Sequence, residues 1–314
     1  MLFTLILIML VIRLDFLPAQ ITSAYYVAYN VQVDSKTDNY DVFAVHLDGS
    51  HPRNITNHKD VAWTYLAWKN RLFFISDRDT ARRNYYLYGT DDRGTSVRKV
   101  TDLRLEDSWM GTRNDGRELV VTGRIGSSVR YQLFLVDVST GKYSQITNDT
   151  SAMYSDPTFS PDGRHIVYRY RKEKRNRQEK AELWIMNLES HTSRQLTQFP
   201  PDDTTAAWHA YHAGPPRWHP TENFISFQSF RNGRYSLYGI TPDGKKEWKL
   251  LETDVVSQGW HDWSDDGKLL AFDGNNEDRG RFDIYLTDWK SKRTRKLTDS
   301  TFKYQQAPVF VRIR

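Results

Sequence analysis

Short segments in which polar residues alternate with aromatic or β-branched residues recur along almost the whole chain. Alternation with a period of two predicts β-strands that have two unlike faces. The segments are 40–47, 85–91, 131–138, 183–188, 235–240 and 282–288. After residue 24, no segment shows the spacing of an amphipathic helix with comparable clarity. The pattern therefore predicts an all-β protein.

A tetrapeptide that carries an aliphatic residue at its third position, and in most copies threonine at its fourth, follows these strands. Its six copies are 53–56, 98–101, 144–147, 194–197, 248–251 and 295–298. Successive copies begin 45 to 54 residues apart, which is the length of one four-stranded propeller blade. We therefore expect a six-bladed β-propeller of four-stranded antiparallel blades.

Turn motifs mark a second fixed position in the repeat. The clearest is Ser160-Pro161-Asp162-Gly163, which leads into the apolar segment 165–168. Proline fixes φ early in such a turn and glycine accepts the positive φ that follows. Related turns lie at 114–116, 219–222 and 265–267.

The two ends of the chain complete the count of strands. Residues 25–30 match the second strand of a repeat, so the first blade begins without its innermost strand. Residues 306–310 repeat the pattern of 155–159, an innermost strand. We expect the C-terminal strand to pair with the N-terminal blade and close the ring, which removes exposed sheet edges. Residues 25–314 are then a single domain.

Residues 1–24 form a separate segment in this interpretation. An apolar run from Leu2 to Ile12 is too short for a spanning helix but fits the core of a secretory signal. Thr22 and Ala24 supply small residues for an A-x-A-like cleavage site, with Ala19 as another candidate. We expect export to the periplasm or secretion, and no stable transmembrane anchor.

Composition and charge narrow the classes of function. The 314 residues include no cysteine, which excludes disulfides, thiol nucleophiles and thiolate metal sites. The 44 basic and 39 acidic residues are interspersed and give a net charge of +5, so we expect a weakly basic surface and no nucleic-acid partner. Aromatic residues make up 14% of the chain, which favours packing as the source of stability.

The motifs together resemble a known family. The Ser-Pro-Asp-Gly turn, the Leu-Trp-Ile-Met-Asn-Leu strand at 183–188 and the Gln-Leu-Thr ending at 195–197 look like the WD40-like PD40 repeat of the TolB family of six-bladed propellers. The resemblance covers about residues 25–314. It implies a periplasmic or secreted protein whose propeller surface and channel bind proteins or peptides. From this resemblance we expect the architecture of the TolB family, and we make no prediction about the pathway.

Function in propellers usually lies at the channel mouth or on the connecting loops. Alignment of the innermost strands places Tyr65, Trp109, Asp156, Pro215, Trp260 and Ala307 at one level. The most irregular connection is 199–216. We expect a non-catalytic monomer that binds a protein or peptide partner without a cofactor. The expected binding residues are Trp109, Asp156, Trp208, His209, Tyr211, His212, Trp260 and His261.

An enzymatic alternative rests on the histidines of this set. Imidazole nitrogens from His209, His212 and His261 could together bind a divalent metal. Oligogalacturonate lyases, propellers with related repeats, use a histidine-rich metal site of this general kind. The alternative is therefore a metal-dependent polysaccharide lyase that resembles them.

Overall fold

The computed structural model describes residues 24–127, 129–176, 178–200, 203–252, 256–276 and 280–313. The predicted signal segment therefore lies outside the described residues, apart from Ala24. Within the described ranges the chain forms strands, turns and loops and contains no helix. Accordingly, no helix that could span a membrane occurs in this part of the chain.

The strands alternate with short turns along the chain. They are β1 (Tyr25–Asp34), β2 (Asn39–His46), β3 (Arg53–Asn54), β4 (Ala62–Trp68), β5 (Arg71–Ser76), β6 (Tyr85–Asp91), β7 (Arg98–Leu105), β8 (Gly111–Arg113), β9 (Glu118–Ile125), β10 (Val129–Asp137), β11 (Tyr143–Gln145), β12 (Met153–Phe159), β13 (His165–Arg171), β14 (Glu182–Asn187), β15 (Ser193–Gln195), β16 (Arg217–Trp218), β17 (Ile225–Arg231), β18 (Arg234–Ile240), β19 (Glu247–Lys249), β20 (Ser257–Trp263), β21 (Leu269–Asn276), β22 (Arg281–Asp288), β23 (Thr294–Lys296) and β24 (Gln305–Arg312).

These strands form antiparallel sheets of the propeller type. Four sheets have four strands each, in the orders β24-β1-β2-β3, β12-β13-β14-β15, β16-β17-β18-β19 and β20-β21-β22-β23. Strands β4 to β11 form one eight-stranded sheet, in which β7 pairs with β9 and β8 also pairs with β9. The predicted all-β class and four-stranded antiparallel blade are therefore confirmed.

The C-terminal strand pairs with the N-terminal sheet. Strand β24 runs antiparallel to β1, with Val27 opposite Phe310 and Ala28 opposite Val309. Inner strands of neighbouring sheets also lie side by side, since β24 contacts both β20 and β4. This pairing satisfies the backbone groups of β1 that would otherwise form an open edge.

The apolar core lies between neighbouring sheets. One cluster combines Val27 and Phe310 with Ala271 and Ile284 of the preceding sheet. Another combines Val167 and other residues of the β12–β15 sheet with residues of the β16–β19 sheet. Because the two faces of each sheet pack against different neighbours, both faces of β1 and β24 are apolar and buried.

The threonine of the repeated tetrapeptide has a specific role. In four of the five copies that end in threonine, its hydroxyl accepts a hydrogen bond from a backbone N–H of the third strand, where the short fourth strand has ended; Thr101 instead accepts from the N–H of Leu103. The pairs are Val42 to Thr56, Leu133 to Thr147, Leu183 to Thr197 and Ile284 to Thr298, at 2.9 to 3.0 Å. In the copy that ends in Leu251, the side-chain oxygen of Gln258 accepts the corresponding bond from Leu237, at 3.0 Å. Each buried N–H is thus satisfied.

The predicted turns at 160–163 and 265–267 also form, whereas at 219–222 the backbone N–H groups of Thr221 and Glu222 donate to the His219 ring instead. In the clearest one, Gly163 has a φ of 70° and its N–H donates to the carbonyl of Ser160 at 2.8 Å. The Asp162 carboxylate accepts from the Ser160 hydroxyl and from the backbone N–H of Arg164. The turn around Gly267 has the same i to i+3 hydrogen bond, to Ser264.

Ring closure predicts a specific cross-link in this cysteine-free chain. Ala28→Cys with Val309→Cys places two thiols at directly opposed positions of β1 and β24, on the same face. We expect a disulfide that raises the unfolding free energy by about 2 to 4 kcal/mol under oxidising conditions. Free-thiol titration and urea unfolding measure both effects.

The matched control is Val27→Cys with Val309→Cys. Val27 opposes Phe310 and faces the other side of the sheet, so this pair should keep two free thiols. Cross-linking in the control but not in the test pair would contradict the register of closure.

Candidate functional site at the channel mouth

Most of the inner-strand positions that the repeat alignment places side by side coincide with irregularities of the backbone. Register shifts interrupt four inner-strand pairings there, at Tyr65, at Asp156-Pro157, at Gly259-Trp260 and at Ala307-Pro308. Asp156 and Ala307 each have a φ of 54°. Such bulges bend the strand and redirect side chains and N–H groups. The inner strands therefore change direction together at one end of the ring.

Side chains fix these bulges by hydrogen bonds, most of which run between sheets. The Asp156 carboxylate accepts from the backbone N–H of Trp109 at 3.0 Å, and the Ser108 hydroxyl accepts from the N–H of Asp156 at 2.7 Å. Asp273 accepts from the N–H of Ala307 at 2.9 Å and from that of Trp260 at 3.2 Å. Because backbone donors are held by buried side chains, the irregular backbone is a defined part of the fold.

A cavity of about 550 Å³ opens at this level, and we call it the channel-mouth cavity. Its walls combine aromatic rings, amides and charged groups from several inner strands and from the 199–216 connection. The lining residues include Tyr65, Asp107, Ser108, Trp109, Asp156, Arg169, Trp208, His209, His212, Gly214, Gln228, Phe230, Tyr235, Trp260, Asp273, Asn275 and Gln306.

A buried arginine packs against two residues of this cavity, Trp109 and Tyr65. The Arg217 guanidinium lies 3.7 Å from the centre of the Trp109 ring and donates to the carbonyl of Tyr65 at 3.1 Å. Burial lowers the pKa of Arg217 to about 10, with Asp262 as the main opposing charge. Tyr65 also lines a second cavity of about 710 Å³, together with Arg217 and turn residues such as Pro161 and Asp265. The channel thus has a mouth at each end, separated by these side chains.

Six of the eight predicted binding residues line the channel-mouth cavity: Trp109, Asp156, Trp208, His209, His212 and Trp260. Trp208 is 53% exposed and meets the rings of His209 and His212 edge-on. Tyr211 does not line the cavity. Its hydroxyl donates to Asp203 at 2.9 Å and its ring packs on Phe199, so it stabilises its own loop.

His261 lies behind the cavity wall. It is fully buried, and its Nε2 lies 2.6 Å from the Ser226 hydroxyl, which also accepts from the Trp263 indole N–H. Burial lowers the pKa of His261 to about 3, and the positive charge of Arg217 acts in the same direction. Its place two residues before Trp263, in the alternating strand β20, directs it into the core, so it is a packing residue.

The three histidines of the metal alternative are therefore not brought to one point. Among the described residues, no group of three or more His, Cys, Asp or Glu side chains could hold a metal ion. The Nδ1 of His212 is already an acceptor, for the backbone N–H of Ala181 at 2.8 Å. The residues on which the alternative depends do not form a ligand set.

Burial perturbs two carboxyl groups of the cavity. Burial raises the pKa of Asp273 to about 7, and the two backbone N–H bonds oppose that shift only in part. Burial also raises the pKa of Asp107, to about 6, although the Tyr65 hydroxyl donates to it at 2.6 Å. Both groups therefore lie closer to their neutral form than ordinary carboxyls.

The opposite wall is basic. Burial is the main cause that lowers the pKa of His212 to about 3, and the positive charges of Arg169, Arg171 and Lys180 lower it further. A backbone hydrogen bond with Trp208 weakly opposes the shift. The ring therefore stays neutral with its proton on Nε2, since Nδ1 is the acceptor. Gly214 lies against Arg169, where a Cβ would come within 3.0 Å of the arginine side chain.

Sequence reasoning missed the residues that come from second strands. Arg169 and Gln228 lie on β13 and β17, and Asp273 lies on β21, each beside an inner strand. Arg169 directly opposes Ser155, the residue before the bulge. The sequence could have indicated them, because residues that pair with the aligned inner-strand positions lie at the same height along the channel.

Comparison with known proteins places this fold in a family. Residues 132–311 match the PD40 family, described as the TolB beta propeller domain. This chain belongs to the PD40 family of TolB β-propellers. A curated relative, the Tol-Pal system protein TolB of Francisella tularensis subsp. mediasiatica, is 27% identical over 194 residues. That alignment covers 60% of this chain and 40% of the relative, so the chain matches less than half of the relative's length.

Solved structures share the PD40 propeller fold. TolB from Acinetobacter baumannii superposes with a TM-score of 0.68 at 14% identity, over 91% of this chain and 66% of that chain. Oligogalacturonate lyase from Vibrio parahaemolyticus superposes with a TM-score of 0.53 at 15% identity, over 84% and 72%. At these identities both likenesses concern the fold alone.

The buried carboxyl of Asp273 predicts an unusual dependence of stability on pH. Its pKa is about 7 when folded and near 4 when unfolded, so only the native state keeps the proton between these values. The contribution of Asp273 to the free energy of unfolding is therefore fully present below about pH 4 and is lost as the pH rises to about 7. Urea unfolding should show the wild type losing its advantage over Asp273→Asn from pH 4.5 to 7.5.

Asp162→Asn is the control, because hydrogen bonds in an exposed turn lower the pKa of Asp162. Its difference from wild type should stay nearly constant over that pH range. A gap between wild type and Asp273→Asn that widens as the pH rises would contradict the assignment.

Proposed function

We propose that this protein is an exported, monomeric, six-bladed propeller that binds an extended segment of a protein partner in the channel-mouth cavity, without catalysis or a cofactor. The observation that carries the proposal is the convergence of aromatic rings and unpaired polar atoms on that cavity. Flat rings give contact area at low entropic cost, and fixed polar groups orient a ligand.

The pairing pattern supports the count of six blades. The eight-stranded sheet divides into β4–β7 and β8–β11, each the size of the other four sheets. Only Arg104 with Arg124 and Leu105 with Gly123 pair across the boundary between them. We interpret the sheet as two neighbouring blades joined where β7 continues toward the channel.

Hydrogen-bond satisfaction distinguishes the channel-mouth cavity from a larger groove. A groove of about 780 Å³ lies between the β12–β15 and β16–β19 sheets. No lining residue of that groove carries a buried, unpaired side-chain polar atom in the described part of the chain. The channel-mouth cavity has such atoms on Trp109, Arg169, His212 and Asn275. Buried polar groups that lack partners favour a site that a ligand completes.

The chemistry of the ligand follows from these atoms. The Trp109 indole N–H is a donor in a residue that is 2% exposed, and Asn275 Oδ1 is an acceptor. A peptide main chain offers one acceptor and one donor per residue, which matches this pair. Trp208, at 53% exposure, is placed at the rim to act as an aromatic anchor.

Export agrees with the apolar segment at the N-terminus and with the family. The relatives are named as proteins of the Tol-Pal system, and the TolB family resemblance implies a periplasmic or secreted protein. We propose the same compartment for this chain and leave its pathway open.

Selection from a displayed library of linear peptides tests binding at the cavity. We expect the purified full-length protein to select peptides whose affinity falls about tenfold or more in Trp208→Ala, because a rim tryptophan contributes a large, desolvated contact. Calorimetry or fluorescence anisotropy measures the change.

Tyr143→Ala is the matched control, since Tyr143 is 44% exposed on β11 and does not line the cavity. It should bind as the wild type does. Selected peptides that bind both variants equally, or selection of none, would contradict the proposal. Cleavage of oligogalacturonate by the manganese-loaded protein would support the enzymatic alternative instead.

A further inference from the structure

We propose that the basic wall of the channel-mouth cavity, formed by Arg169 and His212, recognises a carboxylate on the bound peptide. This inference rests on the proposed function and adds the chemical class of the partner: a segment that carries an acidic side chain or ends in a free carboxylate. Neither residue's role follows from the peptide-binding proposal itself.

The donor on His212 is fixed by its other nitrogen. Nδ1 accepts from the N–H of Ala181 at 2.8 Å, so the neutral ring carries its proton on Nε2. Nε2 makes no hydrogen bond of acceptable geometry within the protein. The ring lines the cavity, and burial, assisted by three neighbouring cations, lowers its pKa and keeps it neutral. His212 thus offers an N–H donor that the protein engages only weakly, through the carbonyl of Trp208.

Arg169 supplies the positive charge beside that donor. Its Nη1 lies 3.8 Å from Asp156 Oδ2, a long ion pair, and its Nε is buried and unpaired. Asp156 already accepts hydrogen bonds from Trp109 N–H, Ser108 and Ser155. The guanidinium therefore keeps donor capacity that its carboxylate neighbour does not use.

Lys180 extends the positive potential to the rim. Its ammonium donates to the carbonyls of Ala207 and Trp208 at 2.9 and 3.2 Å, which holds a cation beneath the exposed tryptophan. An anion that passes Trp208 would meet this charge before it reaches Arg169 and His212. Such a gradient steers acidic ligands toward the wall.

The other carboxyls of the cavity do not cancel this preference. Burial raises the pKa values of Asp107 and Asp273, which draws both groups toward the neutral form. Asp273 directs its oxygens at the N–H groups of Trp260 and Ala307. Asp107 accepts from Tyr65 at 2.6 Å. An incoming carboxylate therefore meets its strongest unsatisfied charge at Arg169.

Three synthetic peptide mixtures test the inference on the full-length protein. Each is a nine-residue peptide with a blocked N-terminus and a fixed central residue, and its other positions are randomised over uncharged residues only. One mixture has central Glu and an amidated C-terminus, one has central Gln and an amidated C-terminus, and one has central Gln and a free C-terminal carboxylate. At neutral pH and low salt, we expect at least one carboxylate mixture to be retained about tenfold better than the neutral mixture. The better one identifies the source of the carboxylate.

Paired variants assign the effect to the wall. Arg169→Gln should abolish the preference. His212→Asn keeps an acceptor near Ala181 but removes the Nε2 donor and should reduce the preference, whereas His212→Gln, which can place an N–H near the Nε2 position, should restore part of it. Lys69→Gln removes one positive charge at the opposite mouth and should change nothing.

The outcomes separate the two proposals. Equal retention of all three mixtures, with binding still lost in Trp208→Ala, would overturn the carboxylate inference and leave peptide binding intact. No retention of any mixture would overturn both. Direct binding of trigalacturonate, lost in Arg169→Gln and with no peptide mixture retained, would assign the basic wall to an acidic sugar and overturn the inference.

Discussion

The pairing of β24 with β1 is the constraint on which the rest of the structure depends. Without it, β1 would present a row of unpaired N–H and C=O groups on a buried, apolar strand. The pairing joins the two ends of a chain whose other sheets form from segments close in sequence. It also places Ala307 and Phe310 against the β20–β22 region, where Asp273 and Asp262 accept their N–H groups.

Closure and the candidate site share the same backbone. The bulges that redirect the inner strands at Tyr65, Asp156 and Ala307 lie at one level because the strands run side by side around the channel. Side chains from neighbouring sheets stabilise each bulge. The cavity walls are therefore built on rigid, hydrogen-bonded strands, and the 199–216 connection adds Trp208, His209 and His212 at the rim.

The fold was predictable because the same turn and strand residues recur in each repeat. Proline, aspartate and glycine fixed the turns, and the tetrapeptide threonine marked a buried N–H that needs an acceptor.

The alignment of inner strands also found Trp109, Asp156 and Trp260. His261 was misassigned although its place two residues before the buried Trp263 directs it into the core. The alignment could not show that Tyr211 bonds within its own loop, because the 199–216 connection has no repeat to compare it with. Arg169 and Asp273 were missed because their role comes from pairing across strands. Gln258, which takes the place of the threonine missing at Leu251, lies on β20 in the next sheet. Its hydrogen bond with Leu237 therefore cannot be predicted from the tetrapeptide itself.

The most direct test of this account is native-state hydrogen exchange of the Ala307 and Phe310 amides across a series of urea concentrations. If closure by β24 holds the ring together, both amides should exchange only through global unfolding, with the same free energy and urea dependence as the most protected amides of β9 and β21. Exchange of Ala307 and Phe310 through a local opening of much lower free energy, with the other sheets still protected, would contradict it.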